Sequence, residues 1–446
     1  MPLFFYKGNE NTLESKTTKS EEFPTQKIKD AFLKVLDNKN LSFLLGSGCS
    51  SYVVEKELGT ESKPIKDKIQ VGIPIMTPMA KEFYGSEDFK KKKEWLKSDL
   101  KIDVNVSPFE TNLETFLSTL HNLWFYHLSI LSDTEKQEAA EIVSENKKDF
   151  SERTDFQKIE TIIVDARNFL LLKCINESNI TSGDDNELIE LYKGFYRKLL
   201  SRNSTLPRLN IFTTNYDIYS ERAMDLLGIH YVNGFTGGIS KFFNPAIFNY
   251  ALAEKMDLSQ SKWSVIDNFF YLYKIHGSVN WIEEQGENKL FKVREIQEAK
   301  YDILKEKDNI MIHPTPLKYN ASLGSPYSDL FREFQKKLMQ NNNILITIGY
   351  SFSDEHINNI IFQAFTIPSF RLIVIGEPKN GNSIEKLQKL NDSRIWIIGG
   401  KDESDSSDYP LHYFRRFVYE MLPDLTADDL DKKMETTLNN LKDLLK

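Results

Sequence analysis

Two short polar motifs contain side chains that could bind a substrate and move a proton: FTTNYD (Phe212–Asp217) and KIHGS (Lys274–Ser278). Asn215 in the first motif carries a carboxamide, which can both donate and accept hydrogen bonds. His276 in the second suits proton abstraction near neutral pH, because the ordinary pKa of histidine is about 6.5. Each motif also has a structural explanation, since Asn and Asp often cap helices and a single histidine often only packs. The first motif contains four polar side chains near its end: Thr213, Thr214, Asn215 and Asp217. Helix capping would explain only one of them.

A glycine-containing turn, GSGCS (Gly46–Ser50), could approach a phosphate closely. Glycines let the backbone come near an anion, and a following helix would point its N–H groups at it. The candidate phosphate-binding residues are therefore Gly46, Ser47, Gly48 and Ser50. A short Gly-Ser turn after a strand is often only a turn, so this motif by itself decides nothing.

A second glycine-containing segment, GYSFSDEH (Gly349–His356), has two possible roles that are compatible. Gly349 and Ser351 could contact a ribose or a phosphate. Ser353 or Asp354 is expected to cap the helix that follows.

The elements that must position these four motifs are short apolar runs, each of which predicts a buried parallel strand. The runs before the motifs are Leu41–Leu45, Leu209–Thr213, Tyr271–Ile275 and Ile344–Ile348. Two more, Arg371–Ile375 and Ile395–Ile398, continue the pattern, and apolar residues recur at helical spacing between several of the runs. This alternation predicts an α/β fold, a Rossmann-like parallel sheet with helices on both faces.

The carboxyl ends of parallel strands meet at one edge, so the four motifs are expected to converge there. That edge would carry the glycine turn, Asn215, His276 and several hydroxyls, with Gly277 and Ser278 beside the imidazole. It would hold neither a metal-ligand cluster nor a serine or cysteine triad. Such a set suits a dinucleotide whose glycosidic bond is broken.

The stretch between the first and second strands of the predicted sheet lacks the strand–helix alternation. Apolar residues recur there at helical spacing, which predicts an all-helical insertion at residues 78–204. The predicted domains are an N-terminal arm (1–26), the two parts of the Rossmann-like domain (27–77 and 205–412), this insertion, and a C-terminal helical extension (413–446). In that extension Thr426 could cap a helix with a single apolar stripe. The segment Ser51–Lys68 is charged and is predicted to be a loop.

Composition excludes several classes of protein. The net charge of −8 argues against nucleic acid as the main ligand, because an acidic surface repels phosphate backbones. The two cysteines, Cys49 and Cys174, cannot form a four-cysteine zinc site or a disulfide framework, so no metal is expected and a reducing cytoplasm is the expected location. We find neither a signal peptide nor an apolar run of the roughly 18 residues that a membrane span needs.

Taken together, the motifs resemble the sirtuin-like NAD-consuming family, and most closely its branch in bacterial anti-phage defence. The pieces that carry the resemblance are GSGCS, GIP (Gly72–Pro74), NLETFLS (Asn112–Ser118), FTTNYD, KIHGS, HPTPLK (His313–Lys318) and GYSFSDEHI (Gly349–Ile357). They follow the order of the family from about residue 28 to residue 400. The combination of FTTNYD, a later HGS and GYSFSDEHI is specific, whereas GSGCS alone is not.

The resemblance implies a Rossmann-like NAD site in which Asn215 and His276 are the catalytic pair. It also implies NAD as substrate, split into nicotinamide and ADP-ribose. Asn215 would hold the ribose hydroxyls or the incoming water, and His276 would accept a proton. The GSGCS turn would bind the diphosphate, Asp217 would orient the nicotinamide side, and Gly349 and Ser351 would meet the adenosine end. The other predicted NAD-binding residues are Thr213, Thr214, Gly277 and Ser278.

The chain departs from protein-deacylating sirtuins in two ways. Those enzymes follow the glycine turn directly with residues that close over nicotinamide, whereas here a longer loop intervenes before the match resumes at GIPIMTP. They usually carry a four-cysteine zinc module, which two cysteines cannot form. Both departures weaken a deacylase interpretation and leave NAD cleavage intact, since the defence branch shares them.

The resemblance further implies regulation, because an unrestrained NADase would drain its own cell. Control through a homo-oligomer or a separately encoded partner, such as a HerA-type ATPase, is expected. Two other functions stay open: a non-catalytic sensor that binds NAD or ADP-ribose, and an NAD-dependent protein deacylase. The sequence does not tell the activating signal, the subunit number, the partner, or whether the product is linear or cyclic ADP-ribose.

Overall fold

The computed structural model of the chain describes residues 2–13, 24–58, 65–144, 147–178, 187–254, 264–284, 292–297, 300–304, 309–311, 325–401 and 409–424. The HPTPLK motif and the predicted helix after Thr426 lie outside these residues. The chain divides into two compact units: Met1–Tyr52, Ser182–Ile275 and Asp329–Lys446 form the first, and Val53–Thr181 and His276–Ser328 form the second. The domain boundaries given above stay a prediction.

The described strands are, in chain order, β1 (Phe4–Lys7), β2 (Glu10–Asn11), β3 (Asn40–Leu45), β4 (Ser51–Leu58), β5 (Ile65–Gly72), β6 (Asn210–Thr213), β7 (His230–Val232), β8 (Phe235–Thr236), β9 (Lys241–Phe243), β10 (Ala253–Glu254), β11 (Ser264–Val265), β12 (Phe269–Lys274), β13 (Gly277–Glu283), β14 (Val293–Glu295), β15 (Asn309–Met311), β16 (Asn343–Ile348), β17 (Arg371–Ile375) and β18 (Ile395–Gly399).

The described helices are α1 (Pro24–Leu36), α2 (Met76–Gly85), α3 (Glu87–Ser98), α4 (Leu113–Ile130), α5 (Asp133–Ser144), α6 (Asp155–Ser178), α7 (Glu187–Leu200), α8 (Tyr219–Leu226), α9 (Tyr301–Leu304), α10 (Tyr327–Leu338), α11 (Glu355–Ala364), α12 (Ser383–Lys389) and α13 (Phe414–Arg416). Within the part of the chain that is described, no helix is both long enough and apolar enough to cross a membrane.

A nine-stranded sheet forms the centre of the first unit, in the order β2-β1-β18-β17-β16-β3-β6-β12-β7. The strands from β18 to β7 are parallel, and β1 and β2 add an antiparallel edge. All six predicted strands are present, so the predicted Rossmann-like α/β fold is confirmed. The N-terminal strand β1 was not predicted.

Helices cover both faces of this sheet, as the prediction requires. Phe43 pairs with Ile211 across β3 and β6, and its ring packs edge-on against Phe195 of α7. Phe212, the next residue of β6, points to the opposite face, because side chains alternate along a strand, and its ring meets Phe334 of α10. Central strands that are buried on both faces read as continuous apolar runs, which is why they could be recognised in the sequence.

The second unit has a helical core built by α2, α3, α4 and α6. Its centre is aromatic: Phe83, Phe89 and Phe116 are buried with Tyr84, and their rings lie 4.8 to 5.9 Å apart. In this unit β13 pairs with β14 and β15. The predicted loop at Ser51–Lys68 was wrong in part, since β4 and β5 form a two-stranded sheet over much of it. Charged residues can alternate along an exposed ribbon, and the charge pattern hid this strand pair.

Candidate active site

Three parallel strands of the first unit end in register at one edge of the sheet. Leu45 of β3 pairs with Thr213 of β6 on one side and with Ile348 of β16 on the other. The next residues along the chain are Gly46, Thr214 and Gly349, so three of the predicted motifs begin at the same level. The amide of Thr214 donates to the carbonyl oxygen of Leu45 over 3.1 Å, which carries the strand pairing into the motif.

The glycine turn packs directly against the backbone of the turn after β16. The amide of Gly46 donates to Ile348 O over 2.9 Å, and that of Gly48 donates to Gly349 O over 3.0 Å. A Cβ atom on Gly46 would lie 2.4 Å from Gly349 O, and Gly349 itself has a φ of +63°. Glycine is therefore required at both positions by close backbone approach and, at Gly349, by a left-handed conformation.

Most amides of this turn donate to protein carbonyls. Besides Gly46 and Gly48, the amide of Cys49 donates to Gly46 O and that of Ser50 to Ser47 O. The side chain of Ser47 is exposed. Diphosphate binding by Gly46, Ser47, Gly48 and Ser50 stays a prediction, and in this conformation the Ser47 hydroxyl is the group that faces solvent.

Asn215 is held at both its backbone and its side chain. Its amide donates to the hydroxyl of Thr213, which in turn donates to Leu45 O, over 3.0 and 3.1 Å. Its Nδ2 donates to Gly46 O over 3.0 Å and to Ser50 Oγ over 2.9 Å. The side chain is buried and does not cap α8. Because both Nδ2 hydrogens are engaged, the Oδ1 atom is the part of the carboxamide left to accept a hydrogen bond from a ligand.

Ser50 connects Asn215 to two further buried groups. Its hydroxyl lies 2.9 Å from the hydroxyl of Tyr192 on α7. It also interacts with the carboxyl of Asp217, and this interaction works to lower the pKa of that carboxyl. Ser50, Tyr192, Asn215 and Asp217 thus form one buried cluster.

Asp217 lies in a setting where opposing effects act on its charge. Burial raises the pKa of its carboxyl above the ordinary value of 3.8, and the ammonium of Lys274 and the hydroxyl of Ser50 partly offset this rise. Its Oδ1 accepts from the amide of Tyr219 over 3.1 Å at the start of α8. Asp217 therefore closes a turn just before α8, whose N-cap position is Ile218 and has no side-chain cap.

Lys274, the last residue of β12, ties that strand to the segment around Asp217. Its Nζ lies 2.9 Å from Glu221 Oε1, and the two side chains are 1% and 8% exposed. The same ammonium donates to Tyr216 O over 3.3 Å and to Asp217 O. A buried lysine with a carboxylate and two carbonyl partners fixes the backbone of the Asn215 motif.

His276, Gly277 and Ser278 are the first residues of the second segment of the second unit. His276 and Ser278 are buried, and Gly277 has a φ of +88° where β13 begins. Lys274 pairs with Thr213 in parallel register, and the amide of Ile275 donates to Thr213 O over 2.9 Å. Thr213 and Lys274 thus lie opposite each other in the sheet. Asn215 comes two residues after Thr213, and His276 comes two residues after Lys274.

The segment after β16 confirms one of its two predicted roles. Asp354 caps α11, since its side chain accepts from the amides of His356 and Ile357 over 3.1 and 3.4 Å. Ser351 is exposed and its Oγ lies 2.9 Å from Ser353 Oγ. Contact of Gly349 and Ser351 with an adenosine ribose stays a prediction.

Sequence reasoning missed three residues of the site: Tyr192 in the buried cluster, and the ion pair of Lys274 and Glu221 beside it. Only Lys274 left a signal, because a lysine inside an apolar strand must find a buried partner. Tyr192 lies on α7, and in the sequence it can be recognised only as part of the apolar face of that helix. Among the described residues, no group of three or more His, Cys, Asp or Glu side chains is arranged to hold a metal ion.

Comparison with known families adds one finding. A family model described as a SIR2-like domain matches residues 209–397, from the start of the FTTNYD strand to the last parallel strand. No curated protein matches the chain. The matched segment contains Asn215, His276, Gly349 and Ser351, and the glycine turn precedes it. The match supports a sirtuin-like family and an NAD-using function.

Proposed function

We propose that the chain is an NAD glycohydrolase that cleaves NAD to nicotinamide and ADP-ribose. The observation that carries the proposal is the anchored carboxamide of Asn215, which lies within the SIR2-like segment at the carboxyl edge of the sheet. Ligands of open α/β sheets bind at that edge. A polar side chain that is fixed by two hydrogen bonds before any ligand arrives is pre-organised to position one.

In the proposed reaction the bond between C1′ of the ribose and N1 of nicotinamide breaks. The bonding electron pair neutralises the pyridinium nitrogen, and the ribose passes through an oxocarbenium-like state, as in glycoside hydrolysis generally. Water then attacks C1′. Asn215 Oδ1 would accept from a ribose hydroxyl or from this water, and His276 would accept the proton that is released. The overall balance is NAD and water giving nicotinamide, ADP-ribose and one proton.

The remaining predicted residues would bind the rest of the dinucleotide. Ser47 would meet the diphosphate, Asp217 would orient the nicotinamide side, and Gly349 and Ser351 would meet the adenosine. Thr213 and Thr214 would support the Asn215 segment, and Gly277 and Ser278 would support His276. The donor set fits an uncharged sugar and a nicotinamide, since it offers carbonyl, carboxamide and hydroxyl groups.

The biological setting rests on the resemblance of the motifs to the anti-phage defence branch. In that setting the enzyme would deplete NAD of an infected cell. A homo-oligomer or a separately encoded partner such as a HerA-type ATPase would hold it inactive until a signal arrives.

Product analysis of the purified protein tests the proposal. We expect nicotinamide and ADP-ribose from NAD alone, in amounts that an acylated peptide does not change. Acyl-ADP-ribose formed only with the peptide would instead identify a deacylase, and NAD binding without turnover would identify a sensor.

Two variants and two matched controls assign the roles. Asn215→Ala and His276→Ala should abolish NAD loss while the fold stays intact. Asn341→Ala and His230→Ala remove the same side chains from exposed positions and should retain it. If a folded Asn215→Ala or His276→Ala protein consumed NAD at the rate of the parent, the assignment of that residue would be wrong.

A further inference from the structure

The hydroxyl of Tyr192 reaches the candidate active site from a helix that carries none of the motifs. Tyr192 and Ser50 are 1% and 2% exposed, and their oxygens lie 2.9 Å apart. The Tyr192 ring stacks on Tyr219 and packs against Phe414, with centroids at 5.9 and 5.1 Å. Its position is therefore fixed by the packing of α7 against α8 and α13.

Ser50 joins Tyr192 to Asn215 through one oxygen atom. A serine hydroxyl has one hydrogen and two acceptor sites. The Nδ2 of Asn215 donates to one of these sites over 2.9 Å. The Tyr192 hydroxyl lies 2.9 Å from the same oxygen, and whichever of the two hydroxyls donates, their hydrogen bond leaves a lone pair of Ser50 to accept from Asn215. Tyr192 is therefore the partner that fixes the rotation of the Ser50 hydroxyl.

The orientation of the Asn215 carboxamide follows from the same accounting. Gly46 O can only accept, so the nitrogen of the carboxamide must face it. The second hydrogen of Nδ2 is donated to Ser50 Oγ, and this bond lasts only while a lone pair of Ser50 points at Asn215. Without the Tyr192 hydroxyl, the Ser50 hydroxyl could rotate away and release one of the two hydrogen bonds that hold the Asn215 side chain.

We propose that Tyr192 is a positioning residue for Asn215, acting through Ser50. This inference rests on the proposed function, and it assigns a residue of α7 to the active site. Tyr192 does not touch the substrate. It keeps Asn215 Oδ1 directed toward the ligand by holding the Ser50 hydroxyl in place.

Tyr192→Phe removes the hydroxyl and keeps the ring. Because a misplaced catalytic group lowers the rate of the chemical step, kcat for NAD hydrolysis should fall by about tenfold or more, with KM changed by less than about twofold. The matched control is Tyr196→Phe, one turn further along α7. Tyr196 is equally buried, and among the described residues its hydroxyl has no hydrogen-bond partner. Its variant should keep the kcat of the parent.

A double variant separates positioning from a general loss of packing. If Tyr192 acts through Ser50, then Tyr192→Phe should lower kcat no further in a Ser50→Ala background. Additive effects of the two substitutions, or a kcat of Tyr192→Phe equal to that of Tyr196→Phe, would overturn the inference.

A crystal structure of the Tyr192→Phe protein gives a readout that does not depend on activity. The Asn215 Nδ2 to Ser50 Oγ distance should exceed hydrogen-bond length, or Asn215 should occupy more than one rotamer, in an unchanged fold. An Asn215 that keeps both contacts would overturn the inference. A parent protein that fails to hydrolyse NAD would overturn the proposed function instead, and this structure would still decide the role of Tyr192.

Discussion

The carboxamide nitrogen of Asn215 donates to the carbonyl oxygen of Gly46 over 3.0 Å, which joins two residues 169 positions apart in the chain. The two residues follow neighbouring parallel strands, β6 and β3, so the sheet itself places them together. A carbonyl oxygen accepts hydrogen bonds and never donates them. The side-chain atom of residue 215 that faces Gly46 O must therefore be the carboxamide nitrogen and not the oxygen. The chemistry of position 215 is thereby restricted before any ligand is considered.

Asn215→Asp tests that restriction. A carboxylate would set its oxygens against Gly46 O and would lose both donors, so a buried acceptor would be left unpaired. We expect NAD hydrolysis to fall as far as in Asn215→Ala, and the free energy of unfolding to drop by about 1–3 kcal/mol. Urea denaturation measures the second effect. The matched substitution Asn341→Asp, at an exposed site, should change neither, and a fully stable Asn215→Asp protein would contradict the account.

Gly349→Ala tests the contact between the two turns. Gly349 and Gly228 have φ values of +63° and +64°, but a Cβ on Gly349 would lie 2.7 Å from Cys49 N, whereas one on Gly228 meets nothing within 4 Å. Both alanine variants bear the strain of a left-handed conformation, which costs about 1 kcal/mol. Only Gly349→Ala adds a backbone clash, which should cost about 1–3 kcal/mol more. Equal melting temperatures of the two variants would show that the turns can separate freely.

Lys274→Met tests the buried ion pair. Removing the ammonium leaves Glu221 buried without its charge partner, which should lower the free energy of unfolding by about 3–5 kcal/mol. The double variant Lys274→Met/Glu221→Gln removes that charge and should recover part of the loss. The exposed pair of Lys389 and Glu385 provides a control, since Lys389→Met should cost less than about 1 kcal/mol. A Lys274→Met protein as stable as this control in urea would refute the assigned role.

Because of His412, we expect the free energy of unfolding to decline at acidic pH. Burial lowers its pKa from the ordinary 6.5 to about 4, although Glu377 partly opposes this. Below pH 6.5 the unfolded chain binds a proton at this position while the folded protein does not, so the folded state loses stability as the pH falls toward 4. The loss over this window is about 3 kcal/mol at most, since one pKa unit is worth about 1.4 kcal/mol.

Substitution of His412 measures this contribution. His412→Gln should flatten the decline in unfolding free energy between pH 6.5 and 4, while His230→Gln, at an exposed site, should leave the decline unchanged. Parallel pH profiles for the parent and His412→Gln would show that another group causes the decline.

The central strands and the residues at their ends could be predicted from the sequence, because a strand buried on both faces must be apolar throughout. The sequence therefore predicted β3, β6, β12 and β16 and the polar residues that follow them. It could not predict β4 and β5, whose charged residues resemble a loop. It also could not predict β1, since a four-residue edge strand depends on a partner, β18, at the far end of the chain.

The supporting contacts of the site were hidden for a different reason. Tyr192 forms part of an apolar helix face, and only the folded structure shows that its hydroxyl meets Ser50. Similarly, Ser50 was predicted to bind a diphosphate from its place in a glycine turn. The structure shows two hydrogen-bond partners for its hydroxyl, Tyr192 and Asn215, and such long-range pairings leave no periodic trace in a sequence.

The pairing of β3 with β16 joins residues that are 303 positions apart, such as Asn40 and Asn343. During synthesis, β3 leaves the ribosome long before β6 and β16, its neighbours in the sheet, have been made. Both edges of β3 are unpaired during that time. Chains that end before Ile348 should therefore aggregate or depend on chaperones, because an open strand edge invites association with other chains. Premature termination in this gene would therefore yield insoluble fragments.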